Sequence, residues 1–313
     1  MTNSSPTKQN AQPIQSAALP YVVLAFGVVV ASTAAVLSKG AIDLGVATLT
    51  IAAGRLTLAA LILTPIAWGR AGWEIRQATR RDSLWALGAG IFLALHFAAW
   101  ISSLAFTSVA SSTALAATNP VFVALASWLI FHERLPMGAW VGVALTVCGS
   151  LLIALSDSDS GAGSNPLLGD GLALIGALAV AGYFLVGRKL RMRLSLLPYI
   201  WLVYTAGALT LLIWLALAGQ SLWGLPAGAY ALLLGLAIGP QLLGHSSFNW
   251  AIKYLSATLV TVAILGEPIG AALLAIVIFD QTLQPLQVLG GALLLGGIAV
   301  TTLAERRTQM VGE

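Results

Sequence analysis

The chain has 313 residues, of which 58% are hydrophobic and only 8% charged, with a mean hydropathy of +0.92. A water-soluble domain carries roughly 25% charged residues, so an ordinary soluble globule is excluded and the bilayer is the main solvent of this surface. The net charge of +4 and pI of about 9.5 do not signal nucleic acid, because the basic residues sit in short groups between apolar runs.

Residues 1–18 form a polar tail whose one basic residue is Lys8. The tail has no charged-then-apolar pattern with a small-residue cleavage site, so the first apolar run is expected to stay as a membrane helix. Spanning a bilayer takes about 20 mostly apolar residues, and ten stretches qualify. They lie near 19–39, 46–68, 84–105, 108–131 and 137–155, then 169–187, 197–218, 227–250, 256–279 and 286–303. The Asp/Ser/Gly/Asn/Pro-rich segment within 156–168 reads as an exposed extracytoplasmic linker, and 304–313 as a second tail. The single cysteine, Cys148, sits inside an apolar run. It excludes an intrachain disulfide and a Cys-based zinc site, and reads as filling space in a helix.

Thirteen of the fifteen Lys and Arg residues fall in alternate segments between these runs. They are Lys8; Arg70, Arg76, Arg80 and Arg81; Arg134; Arg188, Lys189, Arg191 and Arg193; Lys253; and Arg306 and Arg307. The opposite segments carry only Lys39, and Arg55 lies within a helix. The positive-inside bias therefore predicts ten crossings with both termini cytoplasmic.

Residues 108–155 occur twice. Displaced by 148 positions, Ser108 falls on Ser256, Pro120 on Pro268, Gly142 on Gly290, Gly149 on Gly297 and Leu155 on Leu303. The matched prolines and glycines point to internal duplication, giving five-helix repeats over 19–155 and 169–303. Five crossings is an odd number, so the second copy enters the membrane from the opposite side. The expected architecture is all-α and polytopic, two inverted five-helix repeats with a substrate site between them near the midplane.

Polar residues inside the apolar runs are the candidates for that site. Arg55, roughly 13 Å deep at ~1.5 Å per residue, must face protein or a wet cavity, since a charge at mid-bilayer costs a few kcal/mol. It could tie backbone carbonyls or a helix end together, or bind a substrate carboxylate. His96 lies at similar depth with Trp100 one turn on, a titratable ring and a large aromatic on one face. Gln241, His245 and Asn249 fall four apart beside Pro240 and Trp250, a polar stripe suited to lining a cavity or to interhelical hydrogen bonding. His245 is one position off the repeat partner of His96. Glu267 precedes Pro268 as Asn119 precedes Pro120. Pro120, Pro240 and Pro268 each free a carbonyl and permit a bend. Glu267 could carry a coupling proton, bind an amino group, or pair with Arg55 or a histidine. Trp68, Trp73, Trp85, Trp140 and Trp223 fall near helix ends, where an interfacial belt accounts for them. Gly266 and Gly270 read as close helix packing.

The duplicated halves, Arg55-Leu-Thr-Leu-Ala-Ala, Glu267-Pro268, and the repeat ends Phe131-His-Glu-Arg-Leu and Phe279-Asp-Gln-Thr-Leu resemble the EamA-type drug/metabolite transporters over nearly the whole chain. The first copy departs from the usual Glu-Pro, having Asn119-Pro120, and the second has Gln281 after Asp280. The resemblance implies a ten-helix bacterial inner-membrane carrier that exports small metabolites by alternating access, most like exporters of amino acids including aromatic ones. A carrier of lipophilic drugs, organic cations or nucleotide sugars is the alternative within transport. An intramembrane enzyme would need a catalytic set, and the helices offer no His-Glu-x-x-His, no aspartate pair and no persuasive nucleophile–base spacing. No catalytic residue, cofactor or metal is therefore assigned. A channel or scaffold is disfavoured because an inverted duplication with central prolines suits alternating access.

Overall fold

The computed structural model describes residues 18–131, 135–160, 163–191, 193–251, 254 and 263–311. Lys8, Arg134, Lys253, most of the N-terminal tail and the start of the ninth apolar run lie outside these residues, as do the side chains of Arg188, Lys189, Asn249, Arg306 and Arg307. Within them the chain is helical throughout. Nine helices are long and apolar enough to cross a membrane, and Gly266–Phe279 is a shorter apolar tenth.

The first half comprises α1 (Leu19–Asp43), α2 (Thr48–Gln77), α3 (Arg80–Ser103), α4 (Val109–Ala116), α5 (Asn119–Phe131) and α6 (Met137–Ser160). The second comprises α7 (Pro166–Arg191), α8 (Leu196–Leu217), α9 (Ala227–Leu236), a π turn over Ala237–Gly244, α10 (His245–Ala251), α11 (Gly266–Phe279) and α12 (Pro285–Val311). Local chemistry sets these ends. Thr79 and Asp82 form a reciprocal capping box at the start of α3. Gly45, at φ +80°, ends α1 in a left-handed turn that a side chain would strain. Helix α2 outlasts the expected span and kinks at Ala71, where φ is −139°. Beyond the kink the exposed Trp73 and Arg76 form a short surface turn.

The proline positions matter as expected, although the departures from straight helix differ. The fourth span is broken between α4 and α5 at Ala117 and Thr118, just before Asn119-Pro120. Leu265, the repeat counterpart of Ala117, is likewise non-helical immediately before α11. Pro240 sits within a wide turn instead of a simple bend, closed by the His245 N–H donating to the Pro240 carbonyl. The missing proline N–H and its ring disfavour the ordinary four-residue ladder, and a π turn absorbs the mismatch.

The largest contacts correspond when the halves are exchanged. Helix α1 packs on the α9–α10 span and on α11, as α7 packs on α3 and on α4–α5. Three contacts join equivalent spans across the pseudo-twofold axis: α2 with α8, α4 with α11, and α6 with α12. The last is closest, because a Cβ on Gly149 would lie 2.5 Å from the Gly290 carbonyl oxygen, and one on Gly297 2.6 Å from that of Gly142. Those two pairs are images of each other under the repeat. Gly266 and Gly270 similarly admit Val28 and Ser32 of α1. Lipid supplies no hydrophobic drive between helices, so such small-residue approaches carry the association.

Cys148 does not fill interior space. It is exposed on α6 beside exposed Val147 and Leu151, on the face that meets lipid.

Gly149→Val should force α6 and α12 apart and lower stability by about 1–3 kcal/mol, the cost of overpacking a tight contact. Gly291→Ala, with nothing within 4 Å of the added methyl, should leave it unchanged. Monodispersity after stepped heating in detergent compares the two.

Candidate functional site

The site is assembled around Arg55, on the eighth residue of α2 and only 1% exposed. Its Nε donates to Gln241 Oε1 at 2.9 Å, a bond from the first half to the second. Gln241, also 1% exposed, is presented inward by the π turn, and it shares a further side-chain hydrogen bond with Tyr204 of α8. The guanidinium carbon lies 4.1 Å from the centre of the Phe97 ring and 6.0 Å from that of Trp100. Ring faces offset part of the cost of burying the cation. The bonding is incomplete: Arg55 Nη1 and Trp100 Nε1 are buried donors that lack a partner among the described residues. Each orphaned donor costs about 1–3 kcal/mol, so the pocket is built with unused capacity for an acceptor.

His96 lies beside this cation. Its Nδ1 meets the Gly176 carbonyl oxygen at 2.9 Å. A carbonyl only accepts, so Nδ1 carries the proton and Nε2 is the acceptor of the neutral ring. The approach depends on Gly176, because a Cβ there would already be 3.1 Å from Trp100 Cβ. The His96 and Trp100 rings are parallel, with an interplanar angle of 2° and centroids 6.0 Å apart. His245 begins α10 after the π turn and lies within electrostatic reach of both Arg55 and His96. Glu267, in the first turn of α11, is within electrostatic reach of Arg55.

The structure thus brings Arg55, His96, Trp100, Gln241, His245 and Glu267 together from spans of both halves. Trp250 is placed elsewhere: its ring lies tilted against Tyr254 with centroids 4.5 Å apart, and it packs on the small cluster of Leu24, Ala31 and Phe248. Asn119 and Pro120 open α5 without a hydrogen bond to this group, and Pro268 is buried in the first turn of α11. Asn249 lies outside the described side chains. Tyr204, Phe97 and Gly176 are additions that reading the chain did not single out. A register shift of 149 relates His96 to His245, and the same shift carries Arg55 onto Tyr204; that correspondence was the available signal. Among the described residues no group of three His, Cys, Asp or Glu side chains is placed to hold a metal ion.

Polar ties join the halves at both ends of the bundle. At one end Gln287 Nε2 donates to Ser108 Oγ and Ser111 Oγ at 2.9 and 2.7 Å, and Gln281 accepts from the Val109 N–H at 3.2 Å. At the other, Ser195 Oγ donates to Glu74 at 2.6 Å and Arg193 pairs with Asp82 at 3.4 Å. The site lies enclosed between them.

Gln241→Leu should leave Arg55 with a second orphaned donor. The expected result is a loss of about 1–3 kcal/mol in stability, seen as a lower unfolding temperature of the purified protein.

Comparison with known proteins places this arrangement. A model of the "EamA-like transporter family" matches the chain twice, over residues 19–155 and 167–303. The "Uncharacterized transporter sll1319" of Synechocystis is 24% identical over 234 residues, covering 72% of this chain and 69% of that protein. The "Probable terminal-alkyne amino-acid exporter" of Streptantibioticus cattleyicolor is 27% identical over 198 residues, covering 63% of this chain and 64% of that one. The "Probable 4-amino-4-deoxy-L-arabinose-phosphoundecaprenol flippase subunit ArnE" of Salmonella paratyphi B is 33% identical over 74 residues, 24% of this chain and 67% of the subunit. A crystal structure of the same fold superimposes with a TM-score of 0.64 at 19% identity, over 93% of this chain and 100% of that one. With both halves matched by one family model, and with two exchangeable five-span halves enclosing a polar centre, this multi-pass membrane protein belongs to the EamA-like transporter family.

Proposed function

We propose that this transporter is a bacterial inner-membrane exporter of amino acids, aromatic ones included, working by alternating access with both termini in the cytoplasm. The observation that carries the reading is the buried Arg55 with its unpartnered Nη1, set at the junction of the halves beside Trp100 and His96. A guanidinium held in an apolar interior with a free donor suits a carboxylate, and the aromatic rings beside it suit an organic side chain. The likeness to an amino-acid exporter over 63% of the chain points to the same substrate class. Exchangeable halves tied at both ends favour alternating access: breaking the ties at one end while keeping those at the other opens the site to one side. The charge bias of the loops supports cytoplasmic termini.

Purified protein in proteoliposomes should show saturable counterflow of at least one labelled amino acid. Absence of substrate-dependent flux across the standard amino acids would overturn the assignment. Trp100→Ala should weaken aromatic substrates by about three- to tenfold more than threonine, the worth of a ring contact.

For topology, Cys148→Ser supplies a thiol-free background. A membrane-impermeant maleimide should then label Ser164→Cys from outside intact cells, and Gln77→Cys only after permeabilisation. Both sites reacting from the same side would exclude the opposed halves.

A further inference from the structure

Arg55 of α2 and Trp100 of α3 are both buried, and each carries a polar hydrogen that no described residue accepts, on Nη1 and on Nε1. The guanidinium carbon stands 6.0 Å from the centre of the Trp100 ring. The two side chains cannot satisfy each other, because guanidinium and indole nitrogens only donate. The acceptors that hold this group together are already engaged. Gln241 Oε1 receives Arg55 Nε, the Gly176 carbonyl receives His96 Nδ1, and the Trp100 carbonyl receives Ser103 Oγ at 2.6 Å. His96 Nε2, on a ring parallel to the indole, does not accept the Trp100 hydrogen either. Neither donor is free to swing away. Arg55 is clamped by Gln241 and the Phe97 ring. Trp100 lies against His96, with the bare backbone of Gly176 packed close to its Cβ.

We propose that Trp100 is a carboxylate donor, its Nε1–H and Arg55 Nη1 together receiving the two oxygens of one substrate carboxylate. The proposal rests on the amino-acid reading above and deepens it: Trp100 recognises the group that all amino acids share, besides any contact its ring makes with a side chain. A carboxylate with one hydrogen bond of about 2.9 Å at each oxygen bridges a separation of this order. It is the fitting ligand because it offers acceptors and no donor, and its charge offsets the buried cation. A carboxamide turns an NH2 group toward one of the two donors, and an alcohol supplies one neutral oxygen. Either leaves a buried donor unpaired, which disfavours it without steric contact. Both donors belong to the first half, while the groups that fix them, Gln241 and Gly176, belong to the second. Relative motion of the halves therefore changes the grip on the carboxylate, as capture on one side and release on the other require.

The test is competition against counterflow of radiolabelled L-phenylalanine and, in parallel, L-leucine, by the full-length protein in proteoliposomes. Each unlabelled amino acid should compete at least about tenfold better than its amide or its alcohol, the worth of one charged hydrogen bond. Trp100→Phe keeps an aromatic ring and removes the N–H. It should weaken phenylalanine and leucine alike, by about tenfold, and leave their amides unchanged or improved, so that the preference for the free acid collapses. A ring that only packs would instead affect acid and amide equally and phenylalanine more than leucine. Replacing Trp100 with benzothienylalanine, which keeps the shape of the indole without its N–H, gives the same readout should Trp100→Phe fail to fold. Wild-type protein that takes amides and alcohols as well as the acids overturns the proposal, as does either folded variant that keeps the preference for the acid. Those results leave amino-acid transport standing, whereas no flux of any standard amino acid sinks the transport assignment and this proposal with it.

Discussion

A guanidinium buried among apolar helices has to be held from several sides, and most of this structure can be understood from how Arg55 is held. Its own half supplies the Phe97 face, and the other half supplies the Gln241 side-chain oxygen Oε1. Water would solvate the charge from every direction; here the interior can do so only if helices from both repeats converge on it. That convergence depends on close approach elsewhere. Gly176 lets α7 reach α3, and the Gly142–Gly297 and Gly149–Gly290 contacts lock α6 to α12. The cation and the glycines are parts of one arrangement, since the charge is affordable only where backbones come this close.

The departures from regular helix fall where that arrangement needs them. The π turn over Ala237–Gly244 turns Gln241 inward, and the breaks before Asn119 and Gly266 start new helices inside the membrane. Non-helical backbone at such depth is tolerable only where protein or a wet cavity covers it. Of these interruptions the π turn borders the polar centre, since it carries Gln241. Proline is the common cause, although the outcomes differ: a two-residue break before α5, a wide turn around Pro240.

Much of the architecture was legible from composition and register. Ten apolar runs, their alternating basic loops and the 148-residue displacement lead to two opposed five-span halves, because a bilayer permits few ways to satisfy a backbone. The cluster of Arg55, His96, Trp100, Gln241, His245 and Glu267 was also readable, since a polar group in an apolar run must have somewhere to go. Trp250 shows where that logic gives way: a helix position one residue along from a polar stripe can face a satellite cluster instead.

What the sequence determined by itself is thus the solvent of this protein, its division into apolar spans and the identity of its interior polar residues. These follow from sums and periods along one chain. Only the tertiary structure decided which of those residues meet, that Tyr204, Phe97 and Gly176 join them, and that Arg55 bonds to Gln241. Such contacts depend on the angle and depth at which helices from different halves cross, which is set by backbone approach at a few glycines and by the turn at Pro240. No pattern within one helix encodes those quantities, because each is a property of two surfaces at once.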